Sequence, residues 1–199
     1  MKAFLLILLA LLGVQRLGTA TSKPVIRVAL VQLGDFREDR LAELLQGLRK
    51  QFSGEVLVLD GIDIPRHAYY PPRDRFRAEK LVDFLSRRMG APYHKVLGVT
   101  EADISTSTDT YYDYGIFGLG ELAGKACIVS SRRLGRRRTR EALLRKRLLK
   151  VAVHEVGHTL GLPHCQNKRC VMSAGEGSLK SLDASSAGFC PVCIQLAQH

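Results

Sequence analysis

His154, Glu155 and His158 begin the string HEVGHTLGLPH, which ends at His164. Four residues apart on an α-helix, two imidazoles share one face, about 6 Å apart along the axis and about 40° in azimuth. Both can therefore reach a single Zn²⁺ at about 2.0–2.1 Å. Glu155 points to the adjacent side, where a carboxylate can bond to a metal-bound water without itself ligating the metal, which makes it the general-base candidate. Short H-E-x-x-H matches recur by chance, and an amphipathic helix can carry two core histidines. Here Gly161 follows three residues after His158, where a left-handed C-cap glycine would stop the helix and reverse the chain, and His164 comes three later. Three neutral imidazoles leave a fourth tetrahedral position open for water, the mark of a catalytic rather than a structural zinc.

A second constellation follows at Cys165, Cys170, Cys190 and Cys193, two short-spaced pairs of thiols. Four thiolates in this arrangement read as a structural Zn²⁺ site. The same residues are compatible with two disulfides, or with a redox pair at Cys190 and Cys193, and an oxidising compartment would favour either. Because Cys165 adjoins His164, a second metal would pin the backbone that carries the third histidine. Cys127 lies in an apolar run and reads as a small buried hydrophobe. Met172, two residues after Cys170, can pack beneath the three histidines.

The elements that must position these groups are legible upstream. Thr139 to Leu160 reads as one long helix with Thr139 as N-cap. Pro24–Leu33, Glu55–Asp60, Lys95–Thr100 and Lys125–Ser130 read as strands; Phe36–Phe52 and Asp74–Met89 carry apolar residues at helical spacing. The order β-α-β-loop-α-β implies a mixed, largely parallel sheet covered by helices. Gly118, Gly120 and Gly124 do not make a phosphate loop, since a strand rather than a helix follows them. They read as a hairpin or edge strand.

Composition sets outer bounds. The 199 residues are 46% hydrophobic and 25% charged, which suits one globular domain and excludes disorder, collagen and coiled coil. Residues 1–20 read as a secretory signal peptide. Lys2 precedes twelve residues, Ala3–Val14, that are all apolar or Gly, and Gly18-Thr19-Ala20 ends in small residues. Twelve residues are too few to span a bilayer, which takes about 20. The expectation is export to a periplasmic or extracellular space, with residues 21–199 as a single soluble domain; an uncleaved membrane anchor and a cytoplasmic protein are the alternatives. The formal net charge of +11 is local: Arg132–Lys150 holds ten basic residues against Glu141 alone. A second reading of the chain is therefore a zinc-stabilised binding module that uses this patch for polyanions. The stretch lacks interleaved aromatics and any known nucleic-acid motif, so no specific nucleic-acid partner is expected. Glu176 is the sole acid besides Glu155 close to the zinc motif in sequence that could anchor a substrate amine.

Taken together, H-E-x-x-H-x-x-G-x-x-H-C-x4-C-x-M-x17-C-x-x-C over His154–Cys193 resembles the archaemetzincin family of metallopeptidases. Ala68-Tyr69, Lys95–Asp103 and Phe117–Leu134 are similar to the family's N-terminal half, more loosely. The resemblance implies an α+β, zincin-like fold: a mixed twisted sheet whose edge strand lines the cleft, an active-site helix, and a methionine turn at Met172 below the metal. It implies two zinc ions, one catalytic on His154, His158 and His164, and one structural on the four cysteines. It implies a peptidase acting on peptide or protein substrates, endo- or aminopeptidase, with the substrate added as a strand along Phe117, Gly118, Leu119 and Gly120. A monomer is expected. Three features depart from the pattern. The family is mainly intracellular, whereas this chain opens on a leader. Some metzincins place a Tyr shortly after the turn Met, but here Ser173, Ala174 and Gly175 follow Met172. The family is also noted for scant general proteolysis.

Overall fold

The computed structural model describes residues 23–88, 93–174 and 177–198. The expected leader at residues 1–20, and Glu176, lie outside the described residues. A parallel run of strands forms the frame: β1 (Val25–Gln32), β2 (Ser53–Val58), β5 (Lys95–Thr100) and β9 (Ala126–Ser130), closed at one edge by the antiparallel strand β8 (Gly118–Gly120). The order is β2-β1-β5-β9-β8.

Alternation along β1 explains how helices cover both faces. Ile26, Val28 and Leu30 join one core; Ala29, Val31 and Leu33 join the other. Strands β5 and β9 are covered on both sides, so Val96–Thr100 and Ala126–Ser130 are buried throughout. On the first face lie α1 (Glu38–Gln51) and α3 (Glu141–Thr159). On the second lies α2 (Ala78–Arg88), which buries Ala78, Leu81, Val82 and Leu85 at helical spacing. Helix α3 buries Leu148, Val151, Ala152, Glu155, Val156 and Thr159, the i, i+3, i+4 series that turns one stripe to the sheet. A Cβ on Gly47 would lie 2.7 Å from both Leu149 methyls, so α1 reaches α3 where a side chain is missing.

Four short strands, β3 (Tyr69–Tyr70), β4 (Arg75–Arg77), β6 (Ile104–Thr106) and β7 (Tyr114–Gly115), form a second sheet in that order. The sequence periodicity does not show it, because its strands are two or three residues long. Helices α4 (Leu179–Ala184) and α5 (Pro191–Leu196) are too short to declare a period. One expectation is corrected. Thr139 is not the N-cap: α3 starts at Glu141 behind Arg140, which makes no side-chain cap, and the Thr139 hydroxyl instead accepts the Arg136 N–H at 2.7 Å.

Candidate metal centre and cleft

The last turns of α3 carry His154 and His158 on one face, and a short reversal brings in His164. Gly161 takes φ +83°, the left-handed conformation that glycine adopts without steric cost, and the Leu162 N–H donates to the Gly157 carbonyl. One nitrogen from each of the three imidazoles then lies within 4.8 Å of the others. Their tautomers follow from their neighbours. His154 gives Nδ1–H to the Val171 carbonyl at 2.7 Å, and His158 gives Nδ1–H to the Leu162 carbonyl at 2.8 Å. A carbonyl can only accept, so both Nε2 atoms carry bare lone pairs, and they face each other at 3.0 Å. Two lone pairs at that distance repel unless a cation lies between them. For a zinc–nitrogen bond of about 2.0–2.1 Å, ligand atoms on a tetrahedron are about 3.3 Å apart, so the donor set fits the metal. Burial holds His154 at a pKa of about 4 and also lowers His158, so both are neutral and ready to ligate at neutral pH.

Glu155 is buried beside this face, against the edge strand. The fit depends on two glycines. A Cβ on Gly118 would sit 2.7 Å from the Glu155 Cγ, and one on Gly120 would sit 2.5 Å from the Glu155 carbonyl oxygen. With both absent, β8 lies directly on the helix. Burial pushes the Glu155 carboxyl up to about 8, and a hydrogen bond from the Gly120 N–H pulls it back down. A dication on the adjacent imidazoles would add to the downward pull. The expected edge Phe117–Gly120 is therefore both an edge strand, as its position beside β9 shows, and a contact surface for the acid.

Below the histidines, Met172 is fully buried, and a Cβ on Gly157 would lie 2.4 Å from its sulfur. The Cys165 N–H donates to the Met172 carbonyl at 2.8 Å, tying the segment after His164 to the methionine turn. The four cysteines gather behind it. Cys165 and Cys190 have sulfurs 3.8 Å apart, those of Cys170 and Cys193 are 3.7 Å apart, and all four lie within 4.8 Å of one another. A tetrahedron with zinc–sulfur bonds of about 2.3 Å has edges of about 3.8 Å. Main-chain N–H groups of Asn167, Met172 and Cys190 point at these sulfurs from 3.3–3.4 Å, which suits thiolates. None of the five cysteines is joined in a disulfide.

A cavity of about 330 Å³ opens beside Glu155, His154 and His164. Ile116, Phe117, Val151, Val171 and Leu182 make it largely apolar, with Ser178, Ser181 and Ser185 along one side. The sequence reading missed this feature. Val151 could have been found, since it stands one helical turn before His154 on the same face; the α4 residues could not, because nothing local announces how that helix docks.

The basic stretch is partly spoken for. Arg133 pairs with Asp103 at 2.5 Å, Arg147 with Asp183 at 2.6 Å, and Arg145 with Glu43 at 2.7 Å as well as with Asp39. Lys150 donates to the carbonyls of Leu182, Asp183 and Ser185. These residues are structural ties.

Comparison with known proteins gives concordant results. Residues 39–199 match the model of peptidase family M54. The archaemetzincin of Natronomonas pharaonis is 34% identical over 84% of this chain and 97% of its own length; that of Methanocaldococcus jannaschii is 35% identical over 87% and 94%. Among solved structures, the archaemetzincin of Methanopyrus kandleri superposes with a TM-score of 0.73 at 29% identity, covering 91% of this chain and 96% of the other. That of Archaeoglobus fulgidus, crystallised with malonate, gives 0.71 at 31% identity, covering 86% and 99%.

Proposed function

This chain belongs to peptidase family M54, whose curated relatives are archaemetzincins, and from that membership we propose a zinc-dependent peptidase in which Glu155 moves the proton. The observation that carries the assignment of residues is the pair of bare Nε2 atoms on His154 and His158 beside a buried carboxylate. His154, His158 and His164 would hold the catalytic ion, and Cys165, Cys170, Cys190 and Cys193 a structural one. When bound, the catalytic ion supplies Lewis acidity, which lowers the pKa of water from about 15.7 towards roughly 7 and polarises a carbonyl.

The chain's own residues supply the rest. Glu155 takes the proton from the attacking water and returns it to the leaving amine. Gly120 holds the Glu155 carboxyl group by its N–H against β8. The outer edge of β8, which pairs with no other strand among the described residues, offers main-chain groups other than the Gly120 N–H to an extended substrate between Phe117 and Gly120. A substrate side chain enters the apolar cavity, where Val151, Val171 and Leu182 exclude water.

The test is Glu155→Gln in the metal-loaded protein. Zinc content is expected to stay at the wild-type value while the turnover of any responsive peptide falls by roughly 10²–10⁴-fold. Equal turnover with zinc retained would remove Glu155 from the mechanism. We also propose export with cleavage after Ala20, supported by the apolar run that follows Lys2; the mature chain is proposed to be a monomer. A mature N-terminus at Thr21 in protein secreted by its native host is the expected result, and an intact Met1 the opposing one.

A further inference from the structure

Arg132, Arg136, Arg137, Arg138 and Arg140 differ from every paired base around them. All five are exposed, and none has a carboxylate within ion-pair distance among the described residues. They crowd into nine residues. Their like charges repel one another, and Arg138 and Arg140 stand at the positive end of the helix dipole of α3, where a cation is unfavourable. Among the described residues no carboxylate pairs with them to offset that cost, whereas Arg133, Arg145 and Arg147 each tie two separate segments together. A cluster that works against its own helix is explained by a partner outside the chain.

The position of the loop selects the partner. On one side, the Arg133 guanidinium occupies the space where a Cβ of Gly115 would be, and Gly115 lines the cavity beside Glu155. On the other, the Leu134 carbonyl accepts from Arg147 at 2.7 Å. Arg147 in turn holds Asp183, which lies between Leu182 and Ser185, both of which line the same cavity. The loop is thus bolted to both walls of the cleft. Along α3, fourteen residues separate Arg140 from His154, or about 21 Å, and an extended peptide covers that length in roughly six residues.

We propose that Arg132–Arg140 is an exosite for an acidic stretch of the polypeptide substrate, about six residues from the bond that is cut. This rests on the peptidase reading above. The five guanidiniums raise the encounter rate of such a chain and hold it while the neutral residues nearer the metal settle into the cavity.

The test uses the zinc-loaded protein and two fluorescent peptides: a neutral peptide that the wild type cleaves, and the same peptide with four glutamates added six residues from its scissile bond. Binding is measured by anisotropy on the Glu155→Gln protein at 50 and 300 mM NaCl. The acidic peptide should bind at least roughly tenfold more tightly at the lower salt and lose most of the gain at the higher. Adding Arg136→Gln, Arg137→Gln and Arg138→Gln should abolish the gain, leave the neutral peptide's affinity and the zinc content unchanged, and keep the melting temperature at or above the starting value, since a self-repelling cluster is relieved. Equal binding of the two peptides overturns the exosite, as does a gain that survives in both this variant and Arg132→Gln/Arg140→Gln. A single-stranded oligonucleotide of equal charge that binds more tightly than the acidic peptide overturns it in favour of a nucleic-acid surface. Failure of the zinc-loaded wild type to cleave any peptide strikes instead the reading on which the exosite rests.

Discussion

The Nε2 atoms of His154 and His158 face each other at 3.0 Å, and neither has a proton to offer the other. Only a cation satisfies both. His158→Ala removes one of three ligands from this site and none from the four-cysteine site. Metal analysis of the purified proteins is expected to give two zinc ions per wild-type chain and one per variant chain. A chelator should strip the wild type in two phases, the histidine-held ion first, since its thiolate counterpart is closed by four ligands. An unchanged count in His158→Ala would mean that the histidines do not hold the metal.

Glu155 owes its place to the glycines of β8. In Gly120→Ala the new methyl would meet a main-chain oxygen at 2.5 Å, which cannot swing aside as a side chain would. The strand must back away from α3, taking with it the N–H that holds the carboxylate. A displacement near 1 Å at a reacting group costs about 10²-fold in rate. Turnover in Gly120→Ala is therefore expected to fall by that order with both zinc ions retained. Retention of full activity would show that β8 does not position the acid.

Gly157 and Met172 make a similar pair two residues further along α3. Gly157→Ala drives a methyl to 2.4 Å from the Met172 sulfur in a fully buried site, and overpacking of this kind costs about 1–3 kcal/mol. Chemical denaturation should register that loss. Met172→Ala in the same chain should give back part of it by making room for the methyl; a double variant less stable than the sum of the single changes would argue against the contact.

How far the site could be read from the chain follows from how local each part is. His154, His158 and Gly161 are fixed by helical spacing and one left-handed residue, so their arrangement is written in eight consecutive positions. The cysteines needed only pair spacing. Gly118 and Gly120 were legible as an edge strand, but their contact with Glu155 depends on β8 and α3 meeting, some thirty-five residues apart in sequence, and no local pattern encodes it. The second sheet and α4 escaped for the same reason. Their two- to six-residue segments bury too little of their own surface to show a period, and tertiary contacts alone hold them. The charge of Arg132–Lys150 was legible in sum and not in kind, because pairing of Arg145 and Arg147 with Asp39, Glu43 and Asp183 is made across the fold.

Acid should loosen the junction of α1 and α3 through Glu141. Arg40 grips this carboxylate with two bonds, of 2.7 and 3.0 Å, and Arg145 adds a third at 3.2 Å. Hydrogen bonding from Arg40, ahead of the other charges, holds Glu141 at a pKa of about 2 against an ordinary 4.5. A carboxyl whose pKa is lowered by folding contributes fully above its unfolded value and loses that contribution as pH falls through the folded one. The window for Glu141 therefore runs from about 4.5 down to about 2. Asp39, hydrogen-bonded first by Arg37 and then by Arg145, is held below the usual carboxylate range and drains in the same direction. At pH 7 and low salt, Glu141→Gln should melt below the wild type by on the order of 2 °C, since solvent screens a group this exposed. The gap should close as pH approaches 2. Protonation of the metal ligands lowers both melting curves over the same range, so the difference between the two proteins is the quantity to follow. A gap that stays constant from pH 7 to pH 2 would show that the packing of the side chain, and not its charge, joins the helices.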